Sequence, residues 1–330
     1  IFTNLSHDHL DYHKNMKSYF ESKMYLFRNL LKSNSKIIND EKNKEFKIIK
    51  KIPKIKKITI GLNSGDIRIL GNSYEENHQI IKLLVNKKIL IIKVPLIGFF
   101  QIKNFLMAVL AASSIGLDKI KILNQGQKIK SVEGRLECVE SLKNKSKIII
   151  DFAHTPDALN KSLIALKKQF NKKIILVFGC GGERDKKKRF QMGLIARNYC
   201  RKVFVTDDNP RNENPKYIRK SIMRACGNIG INIQSRKKAI ETAIKELKSN
   251  EILLVAGKGH ETTQDYGKKI VNFSDKKIIK KFIKKNKNIF NANWSKKISK
   301  TAFTLNNLNS FNYRGVSINT KTIKKNNLFF

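Results

Sequence analysis

The 330-residue sequence predicts an α/β protein whose second half carries a mostly parallel sheet. Three observations predict it. From about residue 146, short β-branched runs alternate with helical stretches. Those runs are continuously apolar, as strands buried on both faces are. Four of the five end in polar, charged or glycine-rich residues, and ligands collect beyond the carboxyl ends of strands in such sheets.

In chain order, "SYFESKMYLFRNLLK" (18–32) reads as a helix, with Tyr19, Met24 or Phe27, and Leu31 along one side. "IKKITIGL" (55–62), "DIRILG" (66–71) and "KILIIKVPL" (88–96) read as strands, and "NFLMAVLAASSIG" (104–116) as an apolar, alanine-rich helix. The strands of the second half are 146–151, 172–179, 201–208, 231–234 and 251–257. Helices at 155–170, 188–199, 214–227 and 236–248 separate them. Leu159, Leu163 and Leu166 recur at helical spacing in the first of these helices, and Ile240, Ile244 and Leu247 do so in the last. Pro156 opens the first helix, with Thr155 as its cap. After residue 283 "KKNKNIFNANWSKK" reads as a polar, basic linker, and an apolar-rich segment follows to the terminus.

Bulk composition narrows the functional classes. A hydrophobic content of 41% can support real cores. No uninterrupted apolar run approaches membrane-spanning length, so no membrane partner is expected. No charged and apolar leader pattern precedes the motifs. Cys138, Cys180, Cys200 and Cys226 show no paired spacing, which fits a reducing, cytoplasmic setting. The net charge of +42 raises the alternative of a basic nucleic-acid-binding protein. The lysines, however, are spread over the whole chain without interleaved aromatics, and the abundance of Lys, Asn and Ile matches biased codon usage. No specific nucleic acid is expected as a partner.

Several short stretches carry more charge or glycine than a loop needs. "TDDNPR" ends a strand on Asp207 and Asp208, with Arg211 beyond the turn. A turn uses Asn and Pro, not three charges. "DFAHTPDAL" places Asp151 at a strand end and His154 in the turn before a helix, which suits nucleotide or acid–base chemistry or plain turn formation. "GCGGERDKKKR" could receive an anion ahead of a helix, but no G-x-x-x-x-G-K-[ST] phosphate loop occurs in the 330 residues. In "SHDHLDYH", His9 and His13 align on a helix, but no H-E-x-x-H zinc pattern exists. "EGRLE" reads as Arg135 in a surface ion pair with the acids beside it.

Together, "TNLSHDHLDYH", the lysine of "YFESK", "GRLE", "DFAHTPDAL" with "FGCGGERD", and "TDDNPR" with "AGKGHE" resemble the Mur ligases of peptidoglycan synthesis, in the family's order and over about residues 1–282. The resemblance implies part of a central ATPase domain over 1–135 and a Rossmann-like amino-acid-binding domain over 136–282. A linker over 283–300 is then followed by the start of a second Mur ligase over 301–330. It implies an ADP-forming ligase that uses ATP and Mg2+ to activate a carboxylate as an acyl phosphate, which an amine then attacks. It implies magnesium ligation by His9 and by a carbamylated Lys23. It implies nucleotide contacts from Asn104, Arg135, Asp151 and His154, although Gln101 stands where the family's adenine-contacting pattern has its first Asn.

In the diaminopimelate-adding branch of the family, the resemblance implies an amino-acid pocket of Arg184, Asp208, Asn209, Arg211, Gly257 and Glu261. The expected partners are UDP-N-acetylmuramoyl-dipeptide and meso-diaminopimelate. Arg211 would pair with the distal carboxylate, which lysine lacks, so diaminopimelate is expected over lysine. Lacking the phosphate loop, the 330 residues by themselves are expected to be inactive. Residues 316–330 resemble the opening of the D-alanyl-D-alanine-adding ligase, with Asn319, Thr320 and Lys321 where that pattern has D-S-R, and so imply fusion to the next Mur ligase. A non-catalytic remnant is the other alternative.

Overall fold

The computed structural model describes residues 1–6, 10–286, 315–317 and 327–329. The first part begins with helices α1 (Leu10–His13) and α2 (Met16–Tyr25), and α2 runs on through a π-helical turn, Leu26–Leu30. The Asn15 side chain starts α2 by accepting the Ser18 N–H at 2.8 Å. Then come β1 (Lys36–Asp40), α3 (Phe46–Ile49), β2 (Lys56–Gly61), β3 (Ile67–Tyr74), β4 (Gln79–Val85) and β5 (Lys88–Val94). They form one sheet in sequence order, parallel from β1 to β3 and antiparallel from β3 to β5. Asn86 and Lys87 make the β4–β5 turn, with φ of 49° and 62°. Two left-handed residues are what a tight hairpin needs to match the strand twist. Helices α4 (Phe99–Ser114) and α5 (Lys119–Asn124) follow. Ile102, Leu106 and Leu110 of α4 pack on Ile60, Ile67, Ile81 and Leu83 of the sheet.

The second part opens with β6 (Glu137–Ser141) and β7 (Lys147–Asp151). It continues with α6 (Pro156–Phe170), β8 (Ile174–Phe178), α7 (Lys187–Tyr199), β9 (Lys202–Val205), α8 (Pro215–Cys226), β10 (Gly230–Asn232), α9 (Arg236–Lys245) and β11 (Ile252–Ala256). A hairpin of β12 (Thr263–Asp265) and β13 (Ile270–Asn272) and the helix α10 (Asp275–Lys285) complete it. The sheet order is β10-β9-β8-β11-β7-β6, all parallel except β6. The chain steps outward from β8 to β10, then returns through α9 to place β11 between β8 and β7.

Alternation along the strands divides the core. Ile149, Leu176, Val203 and Leu254 face one cluster with Leu159, Leu163 and Ile222. Ile150, Val177, Phe204 and Val255 face the other with Ile240, Ile244 and Ile279. Helices therefore cover both faces, as continuous apolar strands require. The Thr155 hydroxyl caps α6 by accepting the Ala158 N–H at 3.2 Å, as the sequence led us to expect.

The two parts meet at α4. The Gln101 side-chain amide donates to the Arg135 carbonyl at 2.9 Å, and the Gly98 N–H donates to Gln169 Oε1 at 3.3 Å. At the other end, α10 continues to Lys285, beyond residue 282 where the sequence suggested a linker. Ser274 caps it, and Ile279 and Ile283 anchor its apolar face. Gly315–Ser317 and Asn327–Phe329 pair as short parallel strands, β14 and β15. The rest of the expected linker and second-ligase opening lies outside the described residues.

Candidate active site

The loops that follow β7, β8, β9 and β11 lie together at the carboxyl edge of the sheet. Close backbone packing joins them. The Gly182 N–H donates to the Asn209 carbonyl at 2.9 Å, and a Cβ on Gly182 would lie 1.9 Å from the Pro210 carbonyl oxygen. Only glycine permits that approach, so the glycine-rich β8 loop serves to seat the β9 loop.

The β9 loop divides its charges between structure and cleft. Asp207 is buried and pairs with Arg219, while the Tyr266 hydroxyl donates to its other oxygen at 3.3 Å. Burial pushes the Asp207 carboxyl up, against the pull of Arg219, and burial beside Asp207 pushes Tyr266 up to about 12. Asp208 Oδ1 accepts the Asn209 N–H at 2.8 Å. Its Oδ2 is buried and makes no hydrogen bond; Arg236 Nη1, likewise unbonded, stands 3.8 Å away. Gly257, at φ +110°, lies against the same oxygen, where a Cβ would come within 2.8 Å.

Asn209 is held on three sides. Its Oδ1 accepts from Lys258 Nζ at 2.9 Å and from the Asp265 N–H at 3.0 Å, and its Nδ2 donates to Glu261 Oε2 at 3.0 Å. Lys258 also pairs with Glu261 Oε2 at 2.7 Å and is fully buried. Arg211 has a left-handed backbone, φ +51°, fixed by its N–H to the Asp265 carbonyl at 3.0 Å. That conformation is uncommon for a non-glycine residue. It directs the guanidinium to the Gly182 carbonyl at 2.9 Å, with Nε 3.8 Å from Asp265 Oδ2. Arg184 is exposed on the β8 loop, and its Nη1 donates to the Glu183 carbonyl at 3.3 Å.

A second group surrounds the β7 loop. Asp151 Oδ1 accepts the N–H groups of Leu136 at 3.1 Å and Phe152 at 2.9 Å, and Oδ2 accepts the Ser162 hydroxyl at 2.5 Å. Burial pushes this carboxyl up while those bonds pull it down. Asp151 thus ties the 134–137 loop to the strand. The Arg135 guanidinium lies 4.2 Å over the Phe152 ring, and the His154 ring meets that ring edge-on at 4.7 Å. His260, from the β11 loop, lies 5.5 Å from the same ring. The acids beside Arg135 are not its partners, contrary to the surface ion pair expected from "EGRLE". Lys276 of α10 takes both, Glu133 at 2.9 Å and Glu137 at 2.8 Å. Arg135 instead presents an exposed cation on an aromatic platform.

The first part contributes less. Gln101 is buried at the junction with Arg135 rather than presented to a base, and Asn104 is exposed one turn further along α4. Lys23 Nζ lies 4.8 Å over the Tyr19 ring, on which His13 stacks at 4.9 Å. His9 lies outside the described residues. Among the described residues no three His, Cys, Asp or Glu side chains gather to hold a metal ion.

Lys258, Arg236, Arg219, Asp265 and Tyr266 hold the site together and were not singled out from the sequence. Lys258 sits inside "AGKGHE", but one lysine among 68 basic residues carries little signal. The other four come from neighbouring elements and become visible only when the sheet brings those elements together.

Two family descriptions match the chain: "Mur ligase middle domain" over residues 1–112 and "Mur ligase, glutamate ligase domain" over residues 134–259. A UDP-N-acetylmuramoyl-L-alanyl-D-glutamate–2,6-diaminopimelate ligase of Rickettsia typhi is 39% identical over 289 residues, covering 86% of this chain and 58% of that protein. One of the same name from Buchnera aphidicola subsp. Schizaphis graminum is 36% identical over 295 residues, covering 86% and 59%. A solved structure of a ligase of that name is 29% identical, with a TM-score of 0.57, covering 86% of this chain and 59% of the other. The chain thus spans about three fifths of the length of the relatives it matches.

Proposed function

Because the chain belongs to the Mur ligase family, we propose that the native protein adds meso-diaminopimelate to UDP-N-acetylmuramoyl-L-alanyl-D-glutamate at the expense of ATP, in the cytoplasm. ATP supplies the phosphoryl group that turns the acceptor carboxylate into a good acyl donor. The substrate amine then forms the amide, releasing phosphate and a proton. The relatives' names support this substrate pair.

One observation carries the reading. The β9 and β11 loops bring a partly exposed Arg211 and a partly exposed Glu261 to either side of Asn209, which Lys258 holds in place. A cation beside an anion complements an amino-acid end group, whose carboxylate and ammonium are of opposite sign. In this reading Arg211 and Arg184 hold the distal carboxylate, Asp208 and Asn209 shape the pocket, and Gly257 and Glu261 meet the distal ammonium and carboxylate through backbone and side chain. Lysine lacks the carboxylate and would leave Arg211 without a partner. Arg135, on its aromatic platform, suits a nucleotide phosphate, with Asn104 and His154 nearby in the chain's architecture and Asp151 holding the loop. His9 and Lys23 remain our candidates for magnesium ligation, and no step is routed through them.

The test is ADP release by the native protein with ATP and the UDP-linked dipeptide, on adding meso-diaminopimelate or L-lysine. The proposal expects release with meso-diaminopimelate and much less with lysine. A comparable kcat/KM for lysine would overturn it.

A further inference from the structure

The buried ammonium of Lys258 has a consequence for substrate choice that none of the expected site residues supplies. A fully buried lysine is costly to keep charged unless it is paired and hydrogen-bonded. Lys258 is at 0% exposure, and its Nζ donates to Glu261 Oε2 at 2.7 Å and to Asn209 Oδ1 at 2.9 Å. The two acceptors come from different loops, one after β9 and one after β11. Glu261 Oε2 thereby receives two donors, Lys258 Nζ and Asn209 Nδ2 at 3.0 Å, while the Glu261 side chain keeps 32% exposure. The carboxylate that reaches the cleft is therefore one end of a neutral ion pair.

We infer that Lys258 is a positioning and specificity-determining residue, which makes the Glu261 end of the pocket accept a zwitterionic amino-acid head group and disfavour a lone ammonium. Rigid placement comes from the triangle of Lys258, Asn209 and Glu261. Electrostatic selection comes from the pairing. A bare Glu261 carboxylate would attract any cation, including the side-chain ammonium of lysine. A Glu261 already neutralised by Lys258 offers hydrogen-bond acceptance with little net charge, so binding depends on what Arg211 can pair with. This inference rests on the diaminopimelate reading and deepens it.

The experiment compares kcat/KM for meso-diaminopimelate and L-lysine in the native enzyme and in K258M, K258R and E261Q. In K258M, the preference for meso-diaminopimelate over lysine is expected to fall about tenfold or more, through KM for the amino acid, with KM for ATP unchanged. K258R, which keeps the charge, restores most of the preference. E261Q removes the carboxylate while Asn209 Oδ1 still accepts from Lys258, so whether or not Lys258 keeps its proton this end of the pocket becomes no more negative than in the native enzyme, and the preference should hold or rise. It also serves where K258M does not fold, because Glu261 is partly exposed. An unchanged preference in folded K258M, or a lowered one in E261Q, overturns the inference while the diaminopimelate reading stands. Failure of the unsubstituted enzyme to use meso-diaminopimelate overturns both.

Discussion

Arg236 Nη1 and Asp208 Oδ2 face each other at 3.8 Å, both buried and neither hydrogen-bonded. The rest of Arg236 is fully engaged. Its Nε and Nη2 grip Asp275 at 2.8 and 2.7 Å, and Nη2 also donates to the Ala256 carbonyl at 2.9 Å. Burial alone would lower the Arg236 pKa, but the surrounding carboxylates, Asp275 foremost, outweigh it and raise it. This residue joins α9, α10 and the end of β11 beneath the β9 loop.

Arg236→Met should therefore be strongly destabilising. It leaves Asp275, at 0% exposure, without its cation. Breaking a buried pair from one side costs about 3–5 kcal/mol. Urea unfolding measures it, and a loss under about 1 kcal/mol would mean that the ion pair is replaceable by packing.

Arg211→Ala should act on the amino acid alone. It removes the charge proposed to meet the distal carboxylate, so kcat/KM for meso-diaminopimelate falls by about two orders of magnitude, worth roughly 3 kcal/mol for a charged hydrogen-bonded pair. KM for ATP should stay put. A parallel rise in KM for ATP would point to collapse of the loop that Arg211 bonds at Gly182.

The thiols give a test of the fold. Burial pushes Cys180 up to about 12 and Cys226 up to about 11, and Cys200 higher still. Cys138 is exposed, and all four thiols are free. Brief treatment of the folded protein with a thiol reagent near pH 8 should add one label, at Cys138, and denaturation should raise that to four. Rapid labelling of Cys180 or Cys226 in the folded state would contradict the sheet packing around them.

Acid stability should show the Glu213–Arg189 pair. The two Arg189–Glu213 hydrogen bonds, 2.6 and 2.7 Å, hold the Glu213 carboxyl below its ordinary 4.5. A depressed acid contributes stability above its unfolded pKa and loses it as pH falls through the folded value. The stability gap between the native protein and Glu213→Gln should therefore be full at neutral pH and close on acidification below about 4.5. A gap that stays constant down to pH 3 would show that the pair does not titrate with unfolding.

Much of the second part was legible in the sequence because its strands are continuous apolar runs between capped helices. The strand end at Asp151 and the loop beginning at Gly257 fall where the sequence placed them, whereas the strand expected over 201–208 stops at Val205, so that Asp207 and Asp208 lie in the loop. The first part was harder to read. β4, "QIIKLLV", lacks strict alternation and fits a helix about as well as a strand. β1, "KIIND", buries Asn39 and Asp40, whose types usually mark a turn. In the site, the surplus charge at 207–211 is plain in the sequence, but the roles divide in ways that spacing cannot express. Asp207 anchors to Arg219 from α8, and the acids beside Arg135 bond to Lys276, more than a hundred residues away. Lys258 resembles every other lysine until its burial is seen.

The central claim is that the β9 and β11 loops form the pocket for the amino-acid substrate. A crystal structure of the native enzyme with meso-diaminopimelate tests it most directly. The account predicts the distal carboxylate within about 3 Å of the Arg211 guanidinium, and the distal ammonium against Glu261. The amino acid bound away from these loops, or bound with its distal end turned from Arg211, would contradict it.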